Sequence, residues 1–354
     1  MKFYLLKIFS IFFLLYSCSL IDPTHIEEKE FSCTENLYSI SFLCNFEKKT
    51  LIIADNLQTA LNLQMSSPKD REFINQFPDI NLATALFYLS LLREKINQRF
   101  LEYLDKKEIE LKNSYPLYNR KDILMVFVPG MFYKSNPNPT ARGKSILSLS
   151  KLLGISNTLL EINETGEVKH NAKMICSFIK RKQDKKLLII SLSKGSSDVK
   201  VALQICREEF KSVKAWISIS GLHKGTPLVD HYFSNIYKNI LLHLYFKYHN
   251  FLIQGFKSLN SNNQLLQNEI KLPKGLLNIN IIGVPLSFHI TDKALDFYEI
   301  LKFFGPNDGL SLLTDMYIPG SIHYPIFRND HYLSYPHSHF RILAILIYCI
   351  ETAF

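Results

Sequence analysis

The stretch that most constrains this chain is residues 185–206, KKLLIISLSKGSSDVKVALQIC. Leu187 to Ile190 form a short apolar run, the mark of a strand buried on both faces of a sheet. From Asp198 the period changes. Val199, Ala202, Leu203, Cys206 and Phe210 line one face of a helix. Between strand and helix lies Ser191-Leu192-Ser193-Lys194-Gly195, a tight turn with Ser193 at its centre. A serine held there is pushed out of the sheet, beside the first helical N–H groups. The N–H of the following residue can then stabilise an oxyanion. The turn is crowded, so its other members must be small, and Ser191, Gly195, Ser196 and Ser197 are.

This turn resembles the nucleophile elbow of the α/β-hydrolase family, usually written G-x-S-x-G, with Ser191 in place of the first glycine. A serine-rich connection without chemistry has the same spelling. Ser191 and Lys194 also spell S-x-x-K, but the S-D-N and K-T-G strings that accompany it in penicillin-binding enzymes are absent. A serine nucleophile needs a histidine base and a carboxylate to orient it. The resemblance implies the chain order serine, acid, histidine. It points to Asp308 in Gly305-Pro306-Asn307-Asp308-Gly309-Leu310, which is similar to the N-D-G-L-V stretch of bacterial lipases, with Asp315 as the other candidate. Read alone, Asp308-Gly309 is a turn former. The base falls on His331, in the loop between the last strand and the last helix, 23 residues after Asp308. His323, His337 and His339 are read as structural or surface residues. Pro129-Gly130-Met131-Phe132 follows the first sheet strand, where the family carries its second oxyanion donor. This makes the N–H of Met131, with Phe132 second, the partner of the N–H of Lys194. Gly225-Thr226-Pro227-Leu228-Val229-Asp230 resembles the G-[ST]-P-L-A-D segment of lipase-like hydrolases, at the site edge.

The rest of the chain is consistent with that frame. Of 354 residues, 47% are hydrophobic, enough for a large core. The net charge of +9 comes from scattered lysines rather than basic arms, and no nucleic-acid motif is present. It suits anionic lipid headgroups and equally a plain solvated surface. Lys2 and Lys7 precede a short apolar run, Ile8 to Tyr16, ending in Leu15-Tyr16-Ser17-Cys18. This resembles the lipobox of bacterial lipoproteins. It implies a signal peptide over 1–17, a lipid on Cys18, and a place in the cell envelope facing the periplasm or exterior. An ordinary secretory signal and an uncleaved anchor helix are the alternatives. Of six cysteines, lipidation of Cys18 leaves five. Cys33 and Cys44 are candidates for a disulfide in an exported chain, whereas Cys176, Cys206 and Cys349 read as core residues of helix faces. No cysteine pair has metal-ligand spacing, and neither metal nor cofactor is expected.

Residues 18–50 read as a tether and 51–120 as a helical extension, including a long helix capped by Asp79. From 121 to 354 strands and helices alternate, which argues for a mostly parallel sheet with helices on both faces, an α/β-hydrolase fold. Residues 230–274, rich in aromatics, are long for a connection and read either as a cap or lid or as helices packed on the core. Function follows as cleavage of carboxylic esters, of lipids or other hydrophobic acyl compounds, by Ser193, His331 and Asp308. A catalytically inactive lipoprotein that binds a partner or lipid is the alternative, with thioester cleavage and acyl transfer behind it.

Overall fold

The structure, a computed structural model, describes residues 43–114, 116–136, 139–333 and 339–354. The expected signal segment, Cys18 and the Cys33–Cys44 pairing fall outside these residues, as does His337. Among the described residues, Thr50–Phe354 form the compact body, and those up to Lys49 fall outside it.

Six strands make one parallel sheet: β1 Ile123–Val128, β2 Ser156–Leu159, β3 Lys186–Leu192, β4 Val213–Ile219, β5 Leu277–Val284 and β6 Ile322–Phe327. Their order is β2-β1-β3-β4-β5-β6. β1 and β3 are near-continuous apolar runs, and β4 and β5 are buried along nearly their whole length, because helices cover both faces. On one face Met125, Phe127, Leu188, Ile190, Ile217 and Ile279 pack under α4 (Lys95–Leu111), α5 (Lys144–Leu152) and the C-terminal α13 (His339–Ala353). On the other, Val126, Ile189 and Trp216 pack against α6 (Val168–Lys180) and α7 (Lys194–Ile205). The N-terminal helices α1 (Asn45–Leu61), α2 (Pro68–Asn75) and α3 (Ile80–Arg93) build a smaller core with Ile282 and Val284 at the end of β5. The remaining helices are α8 (Pro227–Ser234), α9 (Ile236–Tyr248), α10 (Ile253–Lys257) and α11 (Gln264–Gln267) between β4 and β5, then α12 (Asp292–Leu301).

Three expectations need correction. Asp79 does cap a helix, its carboxylate accepting the N–H groups of Asn81 and Leu82. That helix is not continuous, however. Glu94 adopts an extended backbone, ψ 121°, and splits the segment into α3 and α4. The elbow helix begins at Lys194 rather than Asp198, with Ser193 as its N-cap residue and the Ser196 N–H donating to Ser193 O at 2.9 Å. Cys176 and Cys206 are not free core thiols. They form a disulfide that ties α6 to the end of α7 across 6.0 Å between Cα atoms. Both sit on apolar faces because those faces pack on each other. Cys349 is buried and free.

The segment between β4 and β5 is tied at its base. Thr226 N–H donates to Leu259 O at 2.8 Å, and the Asp230 carboxylate accepts both N–H and Oγ–H of Ser261, at 3.0 and 2.5 Å. α10 is clamped to the loop after β2. Leu252 N–H donates to Thr165 Oγ1 at 3.0 Å. A Cβ on Gly255 would lie 2.0 Å from Thr165 O, which only glycine avoids. α9 is left as the outermost element, with Phe246 its one buried residue.

Candidate active site

Ser193 ends β3 and opens α7 with φ 52° and ψ −123°, a backbone conformation that L-residues rarely adopt. Such strain amounts to roughly 1–3 kcal/mol and persists only where the surroundings enforce it. They do here. Ser193 N–H donates to Ile219 O at 2.8 Å. A Cβ on residue 195 would meet Pro129 O at 2.4 Å, so glycine is required where β1 passes beneath the turn. Ser191, the departure from the usual glycine, has a structural partner. Its buried Oγ accepts the indole N–H of Trp216 at 2.8 Å and pairs with Ser196 Oγ at 2.8 Å. A glycine there would leave the Trp216 N–H, in a fully buried ring, without that partner.

The three residues singled out from sequence come together. His331 Nε2 lies 2.9 Å from Ser193 Oγ, and His331 Nδ1 lies 2.7 Å from Asp308 Oδ2. His331 and Asp308 are buried, while Ser193 is partly open. The remaining Asp308 oxygen, Oδ1, accepts the N–H groups of Leu310 and Ser311 at 2.9 and 2.8 Å. Both Asp308 oxygens are thus engaged, Oδ1 by two main-chain donors and Oδ2 by His331. His331 Nδ1 must supply the third donor, so Nε2 is left to accept from the serine hydroxyl. The two loops are also joined through main chain, His331 N–H donating to Asp308 O at 2.8 Å. Asp330, next to the histidine, pins its loop to α12 by accepting from Thr291 N–H and Oγ1–H.

Of the expected oxyanion donors, Lys194 N–H is at the first position of α7, where the helix has no acceptor for it. Met131 and Phe132 are separated by the structure. Phe132 N–H is directed at Glu164 O, 3.4 Å away. Met131 N–H carries no such bond among the described residues. Phe132 itself has φ 61°. Its ring packs on Phe251 and Phe246, with centroids at 4.9 and 5.9 Å. Downstream, the Glu164 carboxylate accepts the N–H groups of Lys134 and Ser135 at 2.9 and 3.1 Å. Asp315, the other acid candidate, faces Lys224 at 3.8 Å and is not part of this arrangement. His323 is fully buried in β6, where Nε2 accepts the N–H of Ile318 at 3.2 Å.

One element beside the site was not anticipated. The Lys194 side chain does not reach solvent. Its ammonium is buried on Asp198, 2.8 and 3.0 Å from the two carboxylate oxygens. Asp198 also accepts Asn171 Nδ2–H at 2.9 Å. Burial pushes the Asp198 carboxyl up, while the ammonium and these hydrogen bonds pull it back. The i,i+4 spacing of a Lys and an Asp was visible in the sequence; its burial was not.

No family model matches this chain, and no curated protein matches it. Solved structures do. A metagenomic carboxyl esterase superposes with TM-score 0.53 at 20% identity, over 67% of this chain and 77% of that one. A Bacillus licheniformis lipase in mature form gives 0.48 at 16%, over 68% and 95%. Mouse alpha/beta hydrolase domain-containing protein 10 gives 0.41 at 15%, over 64% and 89%. The six-stranded parallel sheet between helical layers is the α/β-hydrolase fold.

Proposed function

We propose that the chain is a membrane-anchored serine hydrolase that cleaves carboxylic esters of lipids or other hydrophobic acyl compounds. The observation that carries this reading is the Ser193–His331–Asp308 hydrogen-bonded chain, assembled from the turn after β3, the loop between α12 and β6, and the loop after β6. Ser193 Oγ bonds to the acyl carbon while its proton passes to His331 Nε2. Asp308 holds the imidazolium that forms. The carbonyl oxygen becomes an oxyanion between the N–H groups of Lys194 and Met131. Collapse expels the alcohol, which takes the proton from His331, and leaves an acyl-serine. Water then repeats the cycle: His331 takes its proton, the acid leaves, and Ser193 Oγ regains a hydrogen.

The esterase and lipase neighbours support an ester as the bond cleaved. The aromatic rings of Phe132, Phe246 and Phe251 beside the oxyanion loop favour an apolar acyl chain. Export is supported by the Cys176–Cys206 disulfide, since such bonds persist in oxidising compartments. Anchoring rests on Cys18 in its lipobox-like setting. The test is a p-nitrophenyl ester series from acetyl to palmitoyl. Turnover is expected to rise with acyl length to an optimum. Ser193→Ala should lower kcat by at least roughly four orders of magnitude. Turnover unchanged in that variant, or none with any ester, would refute the proposal.

A further inference from the structure

An amphipathic helix on a globular protein turns its apolar stripe to the core. α9 does the reverse. At 100° per residue, Ile236, Tyr237, Ile240, Leu241, Leu244 and Tyr248 occupy an arc of about 140°. All six are exposed, from 44% for Leu241 to 76% for Tyr237. The residue that faces the body, Phe246, lies on the opposite side and is 3% exposed. Lys247, in the last turn, is the one polar residue within that arc. A contiguous apolar face of this kind on an outermost element marks something that covers it.

Charge identifies the occupant. From His231 to Asn268 the chain carries Lys238, Lys247 and Lys257 and not one Asp or Glu. The acids that flank this segment in sequence, Asp230 and Glu269, are both engaged, with Ser261 and with Arg71. A second copy of this chain packed on α9 about a two-fold axis would set the lysines of this segment against each other, with no acid in the segment to offset them. An anionic bilayer meets the same surface with complementary charge. Tyrosines at both ends of the helix, Tyr237 and Tyr248, with Lys238 outside the apolar arc and Lys247 within its last turn, suit a helix lying in the headgroup region, where a lysine reaches the phosphates along its own stem.

We infer that α9 is a membrane-docking helix, lying in the surface of an anionic bilayer with Ile236, Ile240, Leu241 and Leu244 inserted among the acyl chains. It is a second contact, independent of any lipid on Cys18. Because its inner side rests on Phe132, one residue after Met131, it sets the candidate active site against the lipid.

The test uses the full chain with Leu244→Trp, reconstituted with vesicles of phosphatidylglycerol and phosphatidylcholine. The one native tryptophan, Trp216, is fully buried and gives a constant background. The added indole should be quenched at least two-fold by lipids brominated in the acyl chains, and shielded from aqueous iodide. Ile240→Asp with Leu241→Asp in the same chain should abolish that quenching. Three results would each overturn the inference. The indole could stay open to iodide on vesicle-bound protein. It could be shielded from iodide and bromolipid alike while two copies cross-link. Or the chain could remain in the aqueous phase with position 244 open to iodide. The readout involves no turnover, so its failure leaves the hydrolase reading standing, and failure of ester cleavage leaves this one standing.

Discussion

Breaking the buried Lys194–Asp198 pair should destabilise the fold without touching the chemistry. Both side chains are almost wholly buried, 2% and 0% exposed, and the pair is short. Removing one partner of such a pair leaves an uncompensated charge and costs about 3–5 kcal/mol, whereas replacing both by neutral groups is close to neutral. With an unfolding entropy of about 2.1 cal/mol/K per residue, a body of roughly 300 residues has about 0.6 kcal/mol/K, so the single loss amounts to about 5–8 °C in Tm. Asp198→Asn and Lys194→Met should each show this fall by differential scanning calorimetry. The double variant should return to within about 3 °C of wild type, since an amide at 198 still accepts from Asn171. All three should keep kcat within a few-fold below their transitions, because the proposed oxyanion donor is the main-chain N–H of residue 194. A double variant that loses the sum of the two single effects would refute the argument. So would a Lys194→Met variant that stays folded yet loses most of its kcat.

Three further outcomes follow from the same structure. His223 and His323 are buried and their imidazoles are held down to about 3 by burial. The unfolded chain therefore binds protons that the native one does not, and stability is lost as pH falls below 6.5, by about 2 kcal/mol per histidine at pH 5. His323→Gln should flatten the dependence of Tm on pH between 7 and 5, and an unchanged slope would speak against it. The Cys176–Cys206 disulfide closes a loop of 30 residues, for which the chain-entropy account gives about 3–4 kcal/mol. Replacing both cysteines by alanine should lower Tm by about 5 °C and leave ester turnover at 25 °C unchanged. Phe132, held at φ 61° by aromatic rings beside Met131, should act on the oxyanion donor. Phe132→Ala is expected to lower kcat on p-nitrophenyl acetate about ten-fold with KM little changed, whereas a residue that only lines the acyl pocket would raise KM for long esters alone.

Much of the architecture was legible because strand and helix periods differ. The apolar run Leu187–Ile190 and the stripe from Val199 fixed both sides of the elbow, and with it the place of Ser193. Asp308 and His331 were readable only by chain order and loop position, since a turn-forming Asp-Gly looks the same with or without chemistry. What escaped the reading were pairings between distant segments. Cys176 and Cys206 have the spacing of core helix residues, and nothing local says that the two faces meet. Ser191 read as a departure from a motif until Trp216 was seen to donate to it from the neighbouring strand, since β4 residues beside β3 are a matter of strand order. Lys194 and Asp198 stand one helical turn apart in the sequence, but burial of a charged pair depends on what the fold lays over it. The interruption at Glu94 left no mark, as the apolar stripe runs on through it.

The central claim is that Ser193 is an activated nucleophile, and a fluorophosphonate probe tests it most directly. The account predicts one covalent adduct per chain, located by peptide mass spectrometry on Ser193, with labelling abolished by Ser193→Ala and slowed at least roughly a hundred-fold by His331→Ala. Labelling at another residue, or a folded chain that takes no label while a control serine hydrolase does, would contradict it.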